Sequence, residues 1–187
     1  MKPIYTKNRT IGLLGGSFNP AHAGHLHISE YALNMLGIDE IWWLVSPQNP
    51  LKSKDDMADY GERFISAKKI TAKNRKIFVS DIERKIGTKY TYQTIYELQK
   101  RYHGTNFIWL MGADNLAGFH HWQRWQEILR LVPIVVFDRA PYSFTSLASK
   151  TYLRMRKFLN AGKTPSLSFV RLKRDANSST AIRSRKK

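Results

Sequence analysis

The chain has 187 residues, enough for one domain with a sizeable core, and 42% of them are hydrophobic, so a folded protein is expected. Lys and Arg number 31 against 14 Asp and Glu, a formal charge of +17. There is no cysteine, which excludes disulfides and thiolate-bound zinc or iron–sulfur clusters.

The opening residues MKPIYTKNRT lack the apolar stretch of a signal peptide. No run nears the roughly 18 apolar residues of a membrane span, so a soluble, cytoplasmic protein is expected. Further along, apolar runs alternate with stretches of helical period. Residues 10–14 (TIGLL) predict a short buried strand, and a helix follows from about His22 to Leu36, stopped by Gly37. EIWWLV (40–45) predicts a second strand, closed by Pro47 and Pro50. A helix is predicted from Tyr60 to about Ala72, and a strand at 76–80 (KIFVS). Over 91–102, Ile95, Leu98 and Tyr102 share one helical face. Strands at 106–112 (NFIWLMG) and 133–137 (PIVVF) enclose a helix within WQRWQEILRLV (122–132). Residues 139–165 are basic and weakly patterned, with a surface helix predicted at 151–163, and SLSFVRL (166–172) predicts a last strand. Strands separated by helices of this length predict parallel βαβ units. The expected fold is therefore α/β, a single Rossmann-like domain whose mostly parallel sheet is flanked by helices.

The surplus of positive charge draws in anions, whether phosphorylated metabolites, nucleic acid or acidic membranes. One stretch narrows that choice. GGSFNPAHAGH (15–25) lies between the first predicted strand and the first helix, where ligands of open α/β sheets collect. Gly15 and Gly16 permit positive φ and put no side chain between backbone and ligand. Backbone N–H groups at a helix start face anions, and the helix dipole favours negative charge. His22 and His25 can point the same way, giving N–H donors where a transferring phosphoryl group gathers charge. The plainer alternative is a tight turn followed by two ordinary histidines.

This string resembles the GG(T/S)F(D/N)PxHxGH signature of the nucleotidyltransferases that carry an (H/T)xGH motif. SSTAIR (178–183) resembles their second signature, S(S/T)TxIR, in the same order along the chain. Read alone, SSTAIR would be a helix cap and a surface helix. MGADN (111–115), followed by FHHW (119–122), resembles the GAD…W block of bacterial nicotinate-nucleotide adenylyltransferases, and TKYTYQT (88–94) resembles their SYTx(D/E)T element, with Gln93 in place of the acid. Ser17 and Asn19 are mild departures from the commoner Thr and Asp.

The resemblance spans roughly residues 10–185 and implies adenylyl transfer from ATP to nicotinate mononucleotide, giving deamido-NAD and pyrophosphate. It implies catalytic roles for His22 and His25. ATP would be bound by Gly15, Gly16, Ser17, Phe18, Gly112, Asp114, Ser179, Thr180 and Arg183, together with the two histidines. The mononucleotide would meet Thr91, Tyr92, Trp122 and Lys52, the last in PQNPLK (47–52). Taken residue by residue, Thr91 reads as a helix cap, Asp114 as another, Trp122 as a core aromatic and Lys52 as a solvated loop lysine. Mg²⁺ is expected to accompany ATP, held mostly by phosphate oxygens and water, with no dedicated protein metal site.

The nearest rival is another adenylyltransferase, two others differ in class, and a preference for nicotinamide over nicotinate mononucleotide turns on backbone donors and acceptors that the residues do not reveal. Phosphopantetheine adenylyltransferases share both end motifs, but typically have Thr in place of His22 and lack the GAD…W block. A basic nucleic-acid binder is supported by charge and the tail RSRKK, but no aromatic–basic interleaving accompanies them. A nucleotide-binding regulator without chemistry would not need both histidines. The expected partners are therefore small molecules, neither nucleic acid nor membrane, and homo-oligomerisation is compatible with all of this.

Overall fold

A computed structural model of the chain describes residues 9–48, 57–138, 152 and 164–172. The described residues fall into two units. One runs from Ile11 to Lys89; the other joins Arg9 and Thr10 to the residues from Tyr90 onward.

In the first unit, strands β1 (Thr10–Gly16), β2 (Glu40–Val45) and β3 (Ile77–Ser80) lie parallel in the order β3–β2–β1. Leu13 faces Trp42 in the register, and Gly16 faces Val45. Residues 41–45 are all buried, as an unbroken apolar run must be in a parallel strand covered on both faces. Helix α1 (Ala23–Met35) ends at Leu36 and is followed by Gly37 at φ +61°, the left-handed exit that glycine adopts without strain. Helix α2 (Tyr60–Thr71) is capped by Asp59, whose Oδ1 accepts from the Gly61 N–H at 2.7 Å. Lys68 and Lys69 stand in its last turn, where the dipole favours cations. A five-residue helix, α3 (Ile82–Ile86), follows β3.

In the second unit, β4 (Asn106–Gly112), β5 (Ile134–Asp138) and β6 (Leu167–Arg171) are parallel in the order β4–β5–β6. Helix α4 (Thr91–Arg101) buries Ile95 and Leu98, two of the three residues of its predicted face, while Tyr102 is half-buried. Gln99 on α4 donates to the Leu131 carbonyl at the end of α6 (Trp125–Leu131), 2.8 Å away. Between β4 and α6 stand α5 (Ala113–Gly118) and a 3-10 turn (Phe119–His121).

Among the described residues the predicted strands and long helices all form; the helix predicted at 151–163 lies outside them except for Tyr152, which is helical, its ring edge-on to Phe169. Helices α3 and α5 have five and six residues, too short to leave a period in the sequence. The helix predicted within 122–132 begins only at Trp125, because Arg124 takes a left-handed backbone at φ +51°. Among the described residues no helix is long and apolar enough to cross a membrane.

Candidate active site

The corner from β1 into α1 departs from expectation in its backbone. Gly15 and Gly16 do not take positive φ; they continue the strand, and Ser46 N–H donates to the Gly16 carbonyl at 3.0 Å. The left-handed residue is Phe18, at φ +48°. An aromatic residue pays for that conformation with strain, of order 1–3 kcal/mol, and holds it only where its surroundings insist. Here they do. Phe18 is 2% exposed, and its ring stacks on Trp43 at 4.9 Å and 12° and lies 4.8 Å from the His25 ring. Ser17 Oγ is buried with no hydrogen-bond partner among the described residues, a feature that calls for an explanation.

His22 is the N-cap of α1 and His25 its third residue, and they form a reciprocal capping box. His22 Nδ1 accepts from the Gly24 N–H at 3.1 Å, and His25 Nδ1 accepts from the His22 N–H at 3.2 Å. A ring nitrogen that accepts from an N–H carries no proton, so each neutral imidazole has its proton on Nε2. The ring centroids are 3.8 Å apart with 33° between planes. The two rings thus stand side by side as oriented Nε2–H donors at a helix N-terminus. Behind them, Ser29 Oγ donates to the His25 carbonyl at 2.9 Å and accepts from Trp43 Nε1 at 2.8 Å, while Trp43 meets the His25 ring edge-on. This buried brace reads as ordinary core in the sequence.

Arg63 carries no signal in the sequence beyond one more basic residue on a basic helix. It is 2% exposed, and its guanidinium binds four backbone carbonyls. Nη1 donates to Ser17 at 2.6 Å and Ser46 at 2.9 Å, Nη2 to Pro47 at 3.0 Å, and Nε to Ala58 at 3.0 Å. Burial pulls its pKa below the ordinary value.

The remaining described candidates belong to the second unit. Gly112 ends β4 and caps α5; Asp114 is exposed in the first turn of that helix, and the expectation that it caps one is not met. Thr91 is likewise not a cap: Tyr90 holds that position, without a side-chain hydrogen bond, and Thr91 is the first helical residue. Tyr92 stacks on Tyr90 and lies under the Arg124 guanidinium, 5.0 Å from the ring centre. Arg124 is held above its ordinary pKa by a hydrogen bond with Tyr92 first and by Glu127 second. Trp122 is half-buried, edge-on to Trp109 at 6.0 Å and to Phe119 at 5.1 Å, so it is only partly the core residue its type suggests. Lys52, Ser179, Thr180 and Arg183 lie outside the described residues.

Comparison with known proteins bears on this geometry. The cytidylyltransferase-like family matches residues 13–185. A protein of Parvibaculum lavamentivorans, named as a probable nicotinate-nucleotide adenylyltransferase, is 42% identical over 98% of this chain and 96% of its own length. One of Erythrobacter litoralis with the same name is 47% identical over 92% of this chain and 82% of its own. Among solved structures, the nicotinic acid mononucleotide adenylyltransferase of Plasmodium falciparum, complexed with NaAD, shares the fold with a TM-score of 0.74 at 19% identity, over 95% of this chain and 83% of that one. The chain belongs to the nicotinate-nucleotide adenylyltransferase family, within the cytidylyltransferase-like nucleotidyltransferases.

Proposed function

We propose that the protein transfers the adenylyl group of ATP to nicotinate mononucleotide. An oxygen of the mononucleotide phosphate attacks the α-phosphorus, the bond from that phosphorus to the bridging oxygen breaks, and pyrophosphate leaves with the bond's electrons. Deamido-NAD is the other product. The attacking phosphate is already ionised at neutral pH, so no side chain need take a proton. The protein's work is positioning and stabilisation of charge.

The observation that carries this reading is the paired capping of His22 and His25, which aligns two neutral imidazoles with Nδ1 engaged and the proton on Nε2. In this reading both donate to oxygens of the reacting phosphates. Backbone N–H groups of 15–18 line the same corner, and the buried Ser17 hydroxyl gains a phosphate oxygen as its partner. Ser179, Thr180 and Arg183 would hold the β- and γ-phosphates. Gly112 and Asp114 would serve the adenosine, and Thr91, Tyr92 and Trp122 the pyridine ring and its carboxylate, with Lys52 at the mononucleotide phosphate. Mg²⁺ would arrive on the phosphates and neutralise part of their charge there.

The test is pyrophosphate release from ATP and Mg²⁺ with nicotinate mononucleotide, nicotinamide mononucleotide or phosphopantetheine supplied in turn. Turnover with nicotinate mononucleotide well above the others is expected. Turnover with phosphopantetheine instead would overturn the assignment.

A further inference from the structure

Two loops leave the carboxyl ends of β1 and β2, and one side chain from α2 fastens both. The four carbonyls that Arg63 binds belong to Ser17, just past β1, to Ser46 and Pro47, just past β2, and to Ala58, just before α2. The Ala58 N–H in turn donates to Asn19 Oδ1 at 3.3 Å, tying the same loop from its other side. A guanidinium suits this task because its donors form a rigid planar fork, whereas an ammonium offers three donors from a single point.

The Ser17 contact has a consequence for chemistry. Apart from the cis bonds before Pro20 and Pro165, the described peptides are trans, so the Ser17 carbonyl and the Phe18 N–H point in opposite directions. With the carbonyl drawn to Arg63 at 2.6 Å, the Phe18 N–H is directed away from the guanidinium. A buried cation on the carbonyl also polarises the peptide and strengthens its N–H as a donor. We propose that Arg63 is a positioning residue for adenylyl transfer: by clamping the Ser17 carbonyl it holds the Ser17–Phe18 peptide, and Phe18 in its left-handed conformation, as an anion-binding donor for ATP. This rests on the adenylyl-transfer reading. Arg63 itself touches no reacting atom.

The test compares Arg63→Lys and Arg63→Gln with the wild type by two measurements. The first is steady-state pyrophosphate release. Loss of about 100-fold in kcat/KM for ATP is expected, as for an ångström-scale misplacement, with KM for the mononucleotide within about twofold of wild type. The second is amide hydrogen exchange over residues 15–20 in the free protein, which should quicken in both variants relative to β4. A role confined to stability would lower the melting temperature without splitting the two substrates. Folded Arg63→Lys protein with ATP kinetics within about threefold of wild type, or with unaltered exchange at 15–20, would overturn the proposal. So would failure of both variants to fold, which would make Arg63 a folding determinant. If the wild type itself did not turn over nicotinate mononucleotide, the functional reading would fall, while the exchange measurement would still decide what Arg63 holds.

Discussion

His22 and His25 form a capping box at the start of α1: the His22 N–H donates to His25 Nδ1 at 3.2 Å, the Gly24 N–H donates to His22 Nδ1 at 3.1 Å, and the two rings lie 3.8 Å apart. The same two contacts that start α1 also fix which ring nitrogen bears the proton. The structural role of the two histidines and the chemical role proposed for them therefore fall on one geometry, and substitutions can separate them.

His25→Ala removes both roles. Turnover should fall by at least about 100-fold, as for loss of an oxyanion-type donor. Stability should fall by about 1 kcal/mol from the lost cap. His25→Gln, with an amide able to accept from the N-cap N–H, should recover the stability and leave turnover low. His22→Asn should behave in the same way, since Asn is a favoured N-cap without an imidazole. Thermal denaturation set beside pyrophosphate release checks the separation; recovery of turnover in the Gln or Asn variants would remove the donor role.

Ser17→Ala should move stability and function in opposite directions. In the free protein the hydroxyl is buried without a hydrogen-bond partner among the described residues, so its removal should be neutral or mildly stabilising. If a phosphate oxygen is its partner in the complex, affinity for ATP should drop by roughly fivefold to tenfold, the worth of about 1–1.5 kcal/mol. Urea unfolding and titration with a non-hydrolysable ATP analogue make the comparison.

Trp122 is half-buried, and the stacking on the pyridine ring proposed for it can be isolated from its packing on Trp109 and Phe119. Trp122→Leu should raise KM for nicotinate mononucleotide about threefold to tenfold, in line with the 0.5–1.5 kcal/mol of an aromatic contact. KM for ATP should stay the same. An equal rise for both substrates would point to a general disturbance of the second unit.

Tyr60 gives the pH dependence a sign. Burial first, and the negative charge of Asp81 second, raise its pKa above the ordinary 10.0. A folded-state pKa above the unfolded one contributes stability that is present below the unfolded value and is lost as pH rises through the folded value. Part of the alkaline loss of stability above about pH 10 should therefore disappear in Tyr60→Phe. At neutral pH that variant should be no less stable, because the hydroxyl is buried without a hydrogen-bond partner among the described residues. Denaturant midpoints across the alkaline range measure both effects.

Much of this architecture was legible in the chain, for a physical reason. β2 is a run of apolar residues long enough to be a covered strand and nothing else, and α1 announces its end with a glycine that can turn left-handed at residue 37. The motif residues were legible because their types recur at a fixed spacing, and His22 and His25 do stand side by side at the start of α1. Local periodicity failed where elements were too short to repeat, as in α3 and α5, and where one residue broke a helix start, as Arg124 does before α6.

What only the tertiary structure decided is which atoms of the corner are held, and by what. The sequence assigns the turn to Gly15 and Gly16, but packing against Trp43 forces it onto Phe18, because a stacked aromatic core outweighs the backbone preference of one residue. It shows Arg63 as surface charge, yet folding buries that guanidinium among four carbonyls 5 to 46 residues away along the chain. A motif records what the chemistry demands of each position, whereas support from distant segments depends on three-dimensional proximity, which residue order alone does not contain.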